Sequence, residues 1–232
     1  MRFSLIIPCF NEAQNIPLLL ASCLGVAKAG EVEVIIVDNG STDDTPEVLA
    51  QALKDFPGCR SIRLELNQGY GFGILAGLNC SEGNVLGWTH ADLQTDPADV
   101  LVGLKYFEKY GDGVFSKGRR FGRPLLDTVF TFGMSLFESV FLLKPMWDIN
   151  AQPTLFTRDF FLTWDDPPHD FSLDLYAYFM AKKHGLSVHR FPVYFGSRAF
   201  GTSHWNVNWK AKLIFIQKTL SYSVRLKRKL HK

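Results

Sequence analysis

No acidic residue follows Asp174. The last 58 residues carry 12 Lys+Arg, whereas residues 1–174 carry all 23 acids against the other 13 bases, so a net charge of +2 conceals two oppositely charged stretches. A basic end of this kind directs attention to anionic partners: lipid headgroups, nucleic acid or phosphorylated substrates. Also missing is any charge-free run of about eighteen apolar residues, which argues against a membrane-spanning helix. Cysteine is scarce, and Cys9, Cys23, Cys59 and Cys80 form no C-x-x-C pair. That spacing offers neither a zinc site nor a nucleophile, and all four read as small apolar residues kept reduced. The opening Met1-Arg2-Phe3-Ser4-Leu5-Ile6-Ile7-Pro8 has too short an apolar core and no small-residue cleavage site for a signal peptide. A cytoplasmic chain is expected. There is no repeat, low-complexity tract or linker. With 232 residues, 47% of them hydrophobic and 21% charged, disorder is excluded and one cored domain is expected.

What is there alternates. Apolar or β-branched runs at Ser4–Pro8, Glu33–Val37, Ser61–Leu66 and Val85–Thr89 read as strands. Helical spacing fills Asn11–Val26, Pro46–Leu53 and Ala98–Tyr110, and a glycine-rich turn at Gly69 enters another helix running to Leu78. Strand–helix alternation predicts an α/β domain with a mostly parallel central sheet flanked by helices. Ligands in such sheets sit at the carboxyl ends of the strands. Three polar turns leave those ends, Cys9–Asn11, Asp38–Ser41 and His90–Gln94, and should open onto one crevice. Further on, Val114–Ser116 and Val188–Phe195 read as strands and Phe171–Lys183 as a helix. Leu125–Leu143 reads as an amphipathic helix with Leu126, Phe130, Met134, Phe137 and Phe141 on one face, packed in the core or lying in a membrane interface. From Trp205 a basic amphipathic helix is expected, its stripe formed by Trp209, Leu213, Ile216, Leu220 and Val224. The expected organisation is a catalytic domain over residues 1–204 and a basic C-terminal helix over 205–232.

Two positions carry most of the chemistry. Asp38 ends a β-branched strand, where a carboxylate can accept from a base or ribose donor while Gly40 allows a tight turn. Asp92 and Gln94 flank Leu93, and strand alternation sends both side chains to one side. Two oxygen ligands so placed suit a hard divalent cation holding a diphosphate, with a solvated turn as the alternative. Such a cation draws charge from a leaving phosphate.

These segments resemble inverting family 2 glycosyltransferases of the GT-A (nucleotide-diphospho-sugar transferase) fold, close to the polyprenyl-phosphate sugar synthases such as dolichyl-phosphate mannose synthase. The likeness is carried by Ser4-Leu-Ile-Ile-Pro-Cys-Phe-Asn-Glu12, Ile36-Val-Asp-Asn-Gly-Ser-Thr-Asp43, Asn67-Gln-Gly-Tyr-Gly71 and His90-Ala-Asp-Leu-Gln-Thr-Asp-Pro97. Lys117-Gly-Arg-Arg120, Phe171-Ser-Leu-Asp174 and Arg198-Ala-Phe-Gly-Thr-Ser203 extend it. The resemblance implies a nucleotide-sugar site made by Pro8, Phe10, Asn11, Glu12, Asp38, Gly69, Asp92, Gln94, Arg120, Arg198 and Ser203. It implies Asp92 and Gln94 as the pair that binds Mg²⁺ or Mn²⁺ and the donor diphosphate, and Arg120 and Arg198 near the phosphates. The chain departs from the family's usual letters at His90 (commonly Asp), Asn39 (often Asp), Asp174 (often Glu) and His204 (often Lys), which bears on the substrate more than on the fold.

The expected reaction is transfer of a sugar from a UDP- or GDP-linked donor with inversion. If the acceptor is a polyprenyl phosphate, it is already anionic, and Arg119, Arg120, Arg198 and Lys117 position it. If it is a saccharide hydroxyl, a carboxylate must take its proton. Asp174 is the first candidate for that base, with a capping or sugar-binding role as its alternative, and Asp148 and Asp170 follow. Gln152, in Asn150-Ala-Gln-Pro153, is a candidate sugar ligand or part of a plain turn. A polyprenyl acceptor would place the chain peripherally on the cytoplasmic face of a membrane, with an anionic surface as partner. A nucleotidyltransferase would want a glycine-rich basic loop after the first strand, which Pro8-Cys-Phe-Asn-Glu12 lacks. A non-catalytic basic module suits the tail but not the acidic strand ends, and nucleic acid is not expected as a partner.

Overall fold

The computed structural model describes residues 1–201 and 209–230, and within the last helix it describes the side chains of residues 216–228. The alternation holds. Strands β1 (Phe3–Cys9), β2 (Val32–Asn39), β3 (Cys59–Leu64) and β4 (Val85–Trp88) are linked by helices α1 (Ile16–Ala27), α2 (Thr45–Ala52) and α3 (Tyr70–Cys80). Helix α4 (Val100–Tyr110) leads to β5 (Val114–Phe121) and the long α5 (Leu125–Phe141). Then come β6 (Thr154–Thr157), α6 (Arg158–Leu162), α7 (Ser172–Lys183), β7 (Ser187–Tyr194) and α8 (Trp209–Leu230). One seven-stranded sheet results, in the order β3-β2-β1-β4-β6-β5-β7. Every described pairing is parallel except the two made by β6.

Alternation along the strands builds two cores. Phe3, Leu5 and Ile7 of β1 and Val34 and Ile36 of β2 face α1, α2 and α4. Ile6, Ile35 and Val37 face α3 and α7 on the other side. Burying both faces explains why these strands read as unbroken apolar runs.

Register sets the site. Cys9 of β1 pairs with Asp38 of β2, and Ile6 pairs with Trp88, the last residue of β4. Thr89 still donates to the Ile6 carbonyl (3.1 Å) as the chain leaves β4. Three turns therefore emerge at one edge. Asn11 and Leu93, one in each of two such turns, take left-handed backbone (φ 57° for both), a conformation uncommon outside glycine.

Several expectations are corrected. Helix α1 begins at Ile16 instead of Asn11, because residue 11 bends the chain back onto the β2 turn. Strand β6 and helix α6 were not expected. Helix α5 turns its polar side inward: its buried residues are Ser135 and Glu138. The face expected to be apolar is divided: Phe130, Met134 and Phe141 are half-buried, whereas Leu126 is 83% exposed. The reason is polar bonding beneath the helix. Asp148 N–H donates to Ser135 Oγ (3.0 Å), and Ser223 Oγ of α8 donates to the Glu138 carboxylate (2.7 Å). That same bond rotates α8, so Tyr222, Ser223 and Leu226 are buried while Val224 of the expected stripe is 40% exposed. Trp205, the start of that expected helix, and the 204/205 boundary lie outside the described residues, as do the side chains of Trp209 and Leu213. Among the described residues no helix is long and apolar enough to cross a membrane.

Candidate active site

The first and second turns are stitched together. Asn11 N–H donates to Ser41 Oγ (2.9 Å), Thr42 N–H donates to Asn11 Oδ1 (2.8 Å), and Glu12 N–H donates to Thr45 Oγ1 (2.9 Å). Phe10 and Pro8 are half-buried beside them. Asp38 is buried, and its Oδ1 accepts from Ser41 N–H (2.9 Å), so it braces the turn. Its Oδ2 has no hydrogen-bond donor among the described residues and lies 3.6 Å from Arg63 Nε. A buried carboxylate oxygen left in this way is a ready acceptor for a ligand donor. Gly40 holds φ +73°, and a Cβ there would lie 2.6 Å from Asn67 N, so no other residue fits the turn.

The third turn carries Asp92 and Gln94. Leu93's left-handed backbone, rather than strand alternation, sets their directions. Asp92 Oδ1 accepts from Gln94 N–H (3.2 Å), and Oδ2 meets Arg198 Nη2 at 2.9 Å. Gln94 Nε2 donates to the Gly196 carbonyl (3.1 Å), and Gly196 N–H donates back to the Gln94 carbonyl (2.8 Å). The segment after β7 is thereby fastened over the Asp92 turn. Glu12 joins the two ends: burial raises its carboxyl, and both Asp92 and Asp43 add to the rise while Arg198 opposes it. Charges of the β2 and β4 turns thus act on Glu12, which follows β1. Ser203 lies outside the described residues.

Gly69 serves a different neighbour. At φ +110°, its Cβ position would lie 2.5 Å from the His169 carbonyl oxygen, and the same carbonyl accepts from Phe72 N–H (3.0 Å). The N-terminus of α3 is therefore capped by the 165–171 loop. Tyr70 stacks on His90 (5.5 Å) and on Phe171 (4.7 Å), which gives the crevice an aromatic wall. Burial lowers the His90 imidazole, so the ring at this family-variant position favours its neutral form.

The second half supplies a buried polar cluster. Asp174, in the first turn of α7, is buried and accepts from Gln152 Nε2 (2.5 Å). Gln152 also donates to the Tyr70 hydroxyl (3.2 Å). Lys117 is 0% exposed and donates to the Ala151 carbonyl (2.6 Å) and Thr154 Oγ1 (2.7 Å), with Asp174 at 3.8 Å. Burial pushes its amine down to about 7, partly opposed by Asp174. Lys117 is therefore not placed to hold an acceptor, a correction whose cause is its burial beside Phe115 on the inner face of β5. Arg120 is bound to Asp148 through Nη2 and Nε, the latter at 2.9 Å. That pairing holds the Asp148 carboxyl below its ordinary range, against burial. Asp170 Oδ1 accepts from Ser172 N–H (2.9 Å) at the start of α7. Arg119 is exposed.

The sequence reading missed Arg190, which donates to the Gly118 carbonyl (3.0 Å) and lies 3.9 Å from Asp148, and gave Tyr70 no role. Period-two spacing from Phe115 was the available signal for Lys117's burial. A small cavity of about 50 Å³ continues from Arg120 and Phe171 between α5 and α7, past Phe130 and Met134, to Glu138.

Known proteins are similar to this chain in sequence and shape. The glycosyl transferase family 2 model matches residues 4–132. Undecaprenyl-phosphate 4-deoxy-4-formamido-L-arabinose transferase of Photorhabdus laumondii is 38% identical over 117 residues, 49% of this chain and 36% of that protein. The enzyme of the same name from Yersinia pestis is 35% identical over 105 residues, 43% of this chain and 31% of that one. The aligned part thus spans about a third of these curated relatives. Among solved structures, Mycobacterium tuberculosis glucosyl-3-phosphoglycerate synthase in complex with Mn²⁺, UDP and glucosyl-3-phosphoglycerate has a TM-score of 0.73 at 16% identity. That match covers 97% of this chain and 79% of that one. The UDP complex of the same enzyme matches with a TM-score of 0.73 at 17% identity, over 97% and 80% of the two chains.

Proposed function

The chain belongs to glycosyl transferase family 2, and from that premise we propose that it moves a sugar from a nucleotide-diphosphate donor to a polyprenyl phosphate. The observation that carries the donor side is that the β1, β2 and β4 turns leave the carboxyl ends of adjacent parallel strands. In this reading Asp38 Oδ2, left without a donor, accepts from the nucleoside, Asp92 and Gln94 hold the diphosphate through a cation, and Arg198 supplies positive charge beside Asp92. Asn11 and Glu12 hold the first turn in place through Ser41 and Thr45. The residues fit Mg²⁺ or Mn²⁺: Asp92 is a hard oxygen ligand that already attracts a cation, and the Gln94 amide lies beside it. Among the described residues no cluster of three acidic, His or Cys side chains surrounds them. A cation here would take its remaining ligands from the diphosphate and water, as Mg²⁺ sites commonly do. When bound, it withdraws charge from the departing diphosphate.

The acceptor side supports a phosphate nucleophile. A hydroxyl acceptor needs a base, yet the three candidate carboxylates are each held by a donor: Asp148 by Arg120, Asp170 by Ser172 N–H, Asp174 by Gln152. A phosphate oxygen is anionic already. It forms the bond to the anomeric carbon as the bond to the diphosphate oxygen breaks, the configuration inverts and no proton has to move. Arg119 and Arg198 orient the two phosphates; Arg120 anchors the end of β5 through Asp148. The relatives named for undecaprenyl phosphate support the same acceptor class.

A lipid-borne acceptor calls for contact with a bilayer, and α5 offers it. Leu125, Val129, Phe132, Leu136 and Val140 form one exposed helical stripe, and Leu143, just beyond the helix, is exposed as well. Beside it α8 presents basic residues, with Lys227 Nζ over the Phe141 ring (4.5 Å). The proposed place is the cytoplasmic face of a membrane, peripherally held.

Incubation with undecaprenyl phosphate, Mn²⁺ and radiolabelled UDP- or GDP-sugars tests this reading. Label in the organic-extractable lipid that mild acid releases as free sugar supports it. Label transferred to saccharides, or to water alone, contradicts the acceptor assignment.

A further inference from the structure

We infer that Arg198 is a place-holder for the divalent cation: its guanidinium and the metal compete for Asp92, and the arginine passes to the donor diphosphate when the metal takes its place. The inference rests on the donor-site reading above and adds an order of events to it.

Asp92 is a buried carboxylate and needs a positive partner. Both its oxygens are in use, Oδ1 by Gln94 N–H and Oδ2 by Arg198 Nη2 at 2.9 Å. A divalent cation on Oδ2 would face a guanidinium at contact distance, and like charges so close in a partly dry site repel strongly. One of the two must leave. Arg198 is the weaker holder. Among the described residues Asp92 is its one ion-pair partner, and its buried Nε has no hydrogen-bond acceptor. A guanidinium held by one nitrogen, with a second donor orphaned, is better satisfied by a diphosphate, whose oxygens accept two parallel bonds.

The backbone around Arg198 allows this exchange without unfastening the segment. Gly196 is tied to Gln94 by two hydrogen bonds on one side, and the Phe200 carbonyl accepts from Asn15 Nδ2 (3.4 Å) on the other. The side chain between these ties can swing while the chain stays put. With Asp92 guarded and no further carboxylate cluster beside it, bare metal binds poorly. Metal arriving with a nucleoside diphosphate brings the group that relieves Arg198 as well as its own remaining ligands. Donor and cation are thereby coupled through one side chain.

The test uses the full-length chain, its Arg198→Ala variant and, as a second form, Arg198→Gln. Mn²⁺ alone is titrated by electron paramagnetic resonance of the free ion, then again with saturating UDP or GDP. Removing the competitor should tighten Mn²⁺ alone by about tenfold or more. It should weaken the nucleotide bound with Mn²⁺ by about tenfold. Opposite signs on the two arms are the signature. Unchanged or weaker binding of Mn²⁺ alone in both variants overturns the inference, as does binding too weak to measure in every form while Mn²⁺ still binds with nucleotide. If no form takes up Mn²⁺ with or without either nucleotide, it is the donor-site reading that fails.

Discussion

The two halves of the chain share the apolar cores of the sheet but place their polar groups differently. Residues up to about Tyr110 fill the sheet with Val, Ile and Leu and bury Asp38 and Asp92 at the strand ends. The second half buries Lys117, Glu138, Asp148, Gln152 and Asp174 around α5 and α7, while α5 turns Leu136 and Val140 outward at 53% and 67% exposure, with Glu138 at 0%. The contrast teaches where each half meets its partner. The first gathers its buried carboxylates where the turns of β1, β2 and β4 leave the sheet. The second keeps its polar groups for itself and offers an apolar stripe and a basic helix to its surroundings.

The strongest attempt to break this contrast is at the crevice. Asp92→Asn should lower transfer by roughly 10²- to 10³-fold while leaving the thermal melt nearly unchanged. A comparable loss in the melt would make Asp92 a structural residue like those of the second half. Next comes Lys117→Met, which leaves Asp174 buried without its cation and should cost roughly 3 kcal/mol in urea unfolding. Adding Asp174→Asn should restore part of that loss. If it restores none, the two groups do not act as a pair.

A smaller effect sharpens the picture of the inverted helix. Burial pushes the Glu138 carboxyl up to about 7 from an ordinary 4.5. The folded chain thus holds this proton more tightly than the unfolded chain. The favourable contribution is complete below about pH 4.5 and is lost as pH rises through 7. Glu138→Gln should therefore match the parent at pH 5 and exceed it by about 1–2 kcal/mol at pH 8. Denaturant melts at the two pH values check this, and an equal difference at both would remove the titration from the account. The smallest expected effect is on lipid contact. Leu136→Glu with Val140→Glu should reduce flotation with anionic liposomes by about tenfold without shifting the melt. Undiminished flotation would move the contact away from α5.

The first half was legible because its signals are local. Val34-Ile-Ile-Val37 followed by Asp38 states both the buried strand and the carboxylate at its end, and three such endings place one crevice. The second half was not, because its faces are decided by partners distant in sequence. Nothing near Glu138 announces Ser223, 85 residues away. The hydrophobic spacing of α5 is genuine, but it cannot say whether the stripe meets core or surroundings. β6 escaped notice because Thr154-Leu-Phe-Thr157 is four residues set between Pro153 and a short helix. Asp174 was visible as a residue but its engagement by Gln152 was not, since that contact depends on how the 150–153 turn folds under Tyr70.

The central claim is that the strand-end carboxylates hold a nucleoside diphosphate through a cation on Asp92. Calorimetric titration of UDP and GDP, with and without Mn²⁺, into the parent chain and Asp92→Asn tests it most directly. Mn²⁺ should tighten one of the nucleotides by at least about tenfold in the parent, and Asp92→Asn should abolish the gain. An equal gain in both proteins, or no nucleotide binding in the parent under either condition, would contradict it.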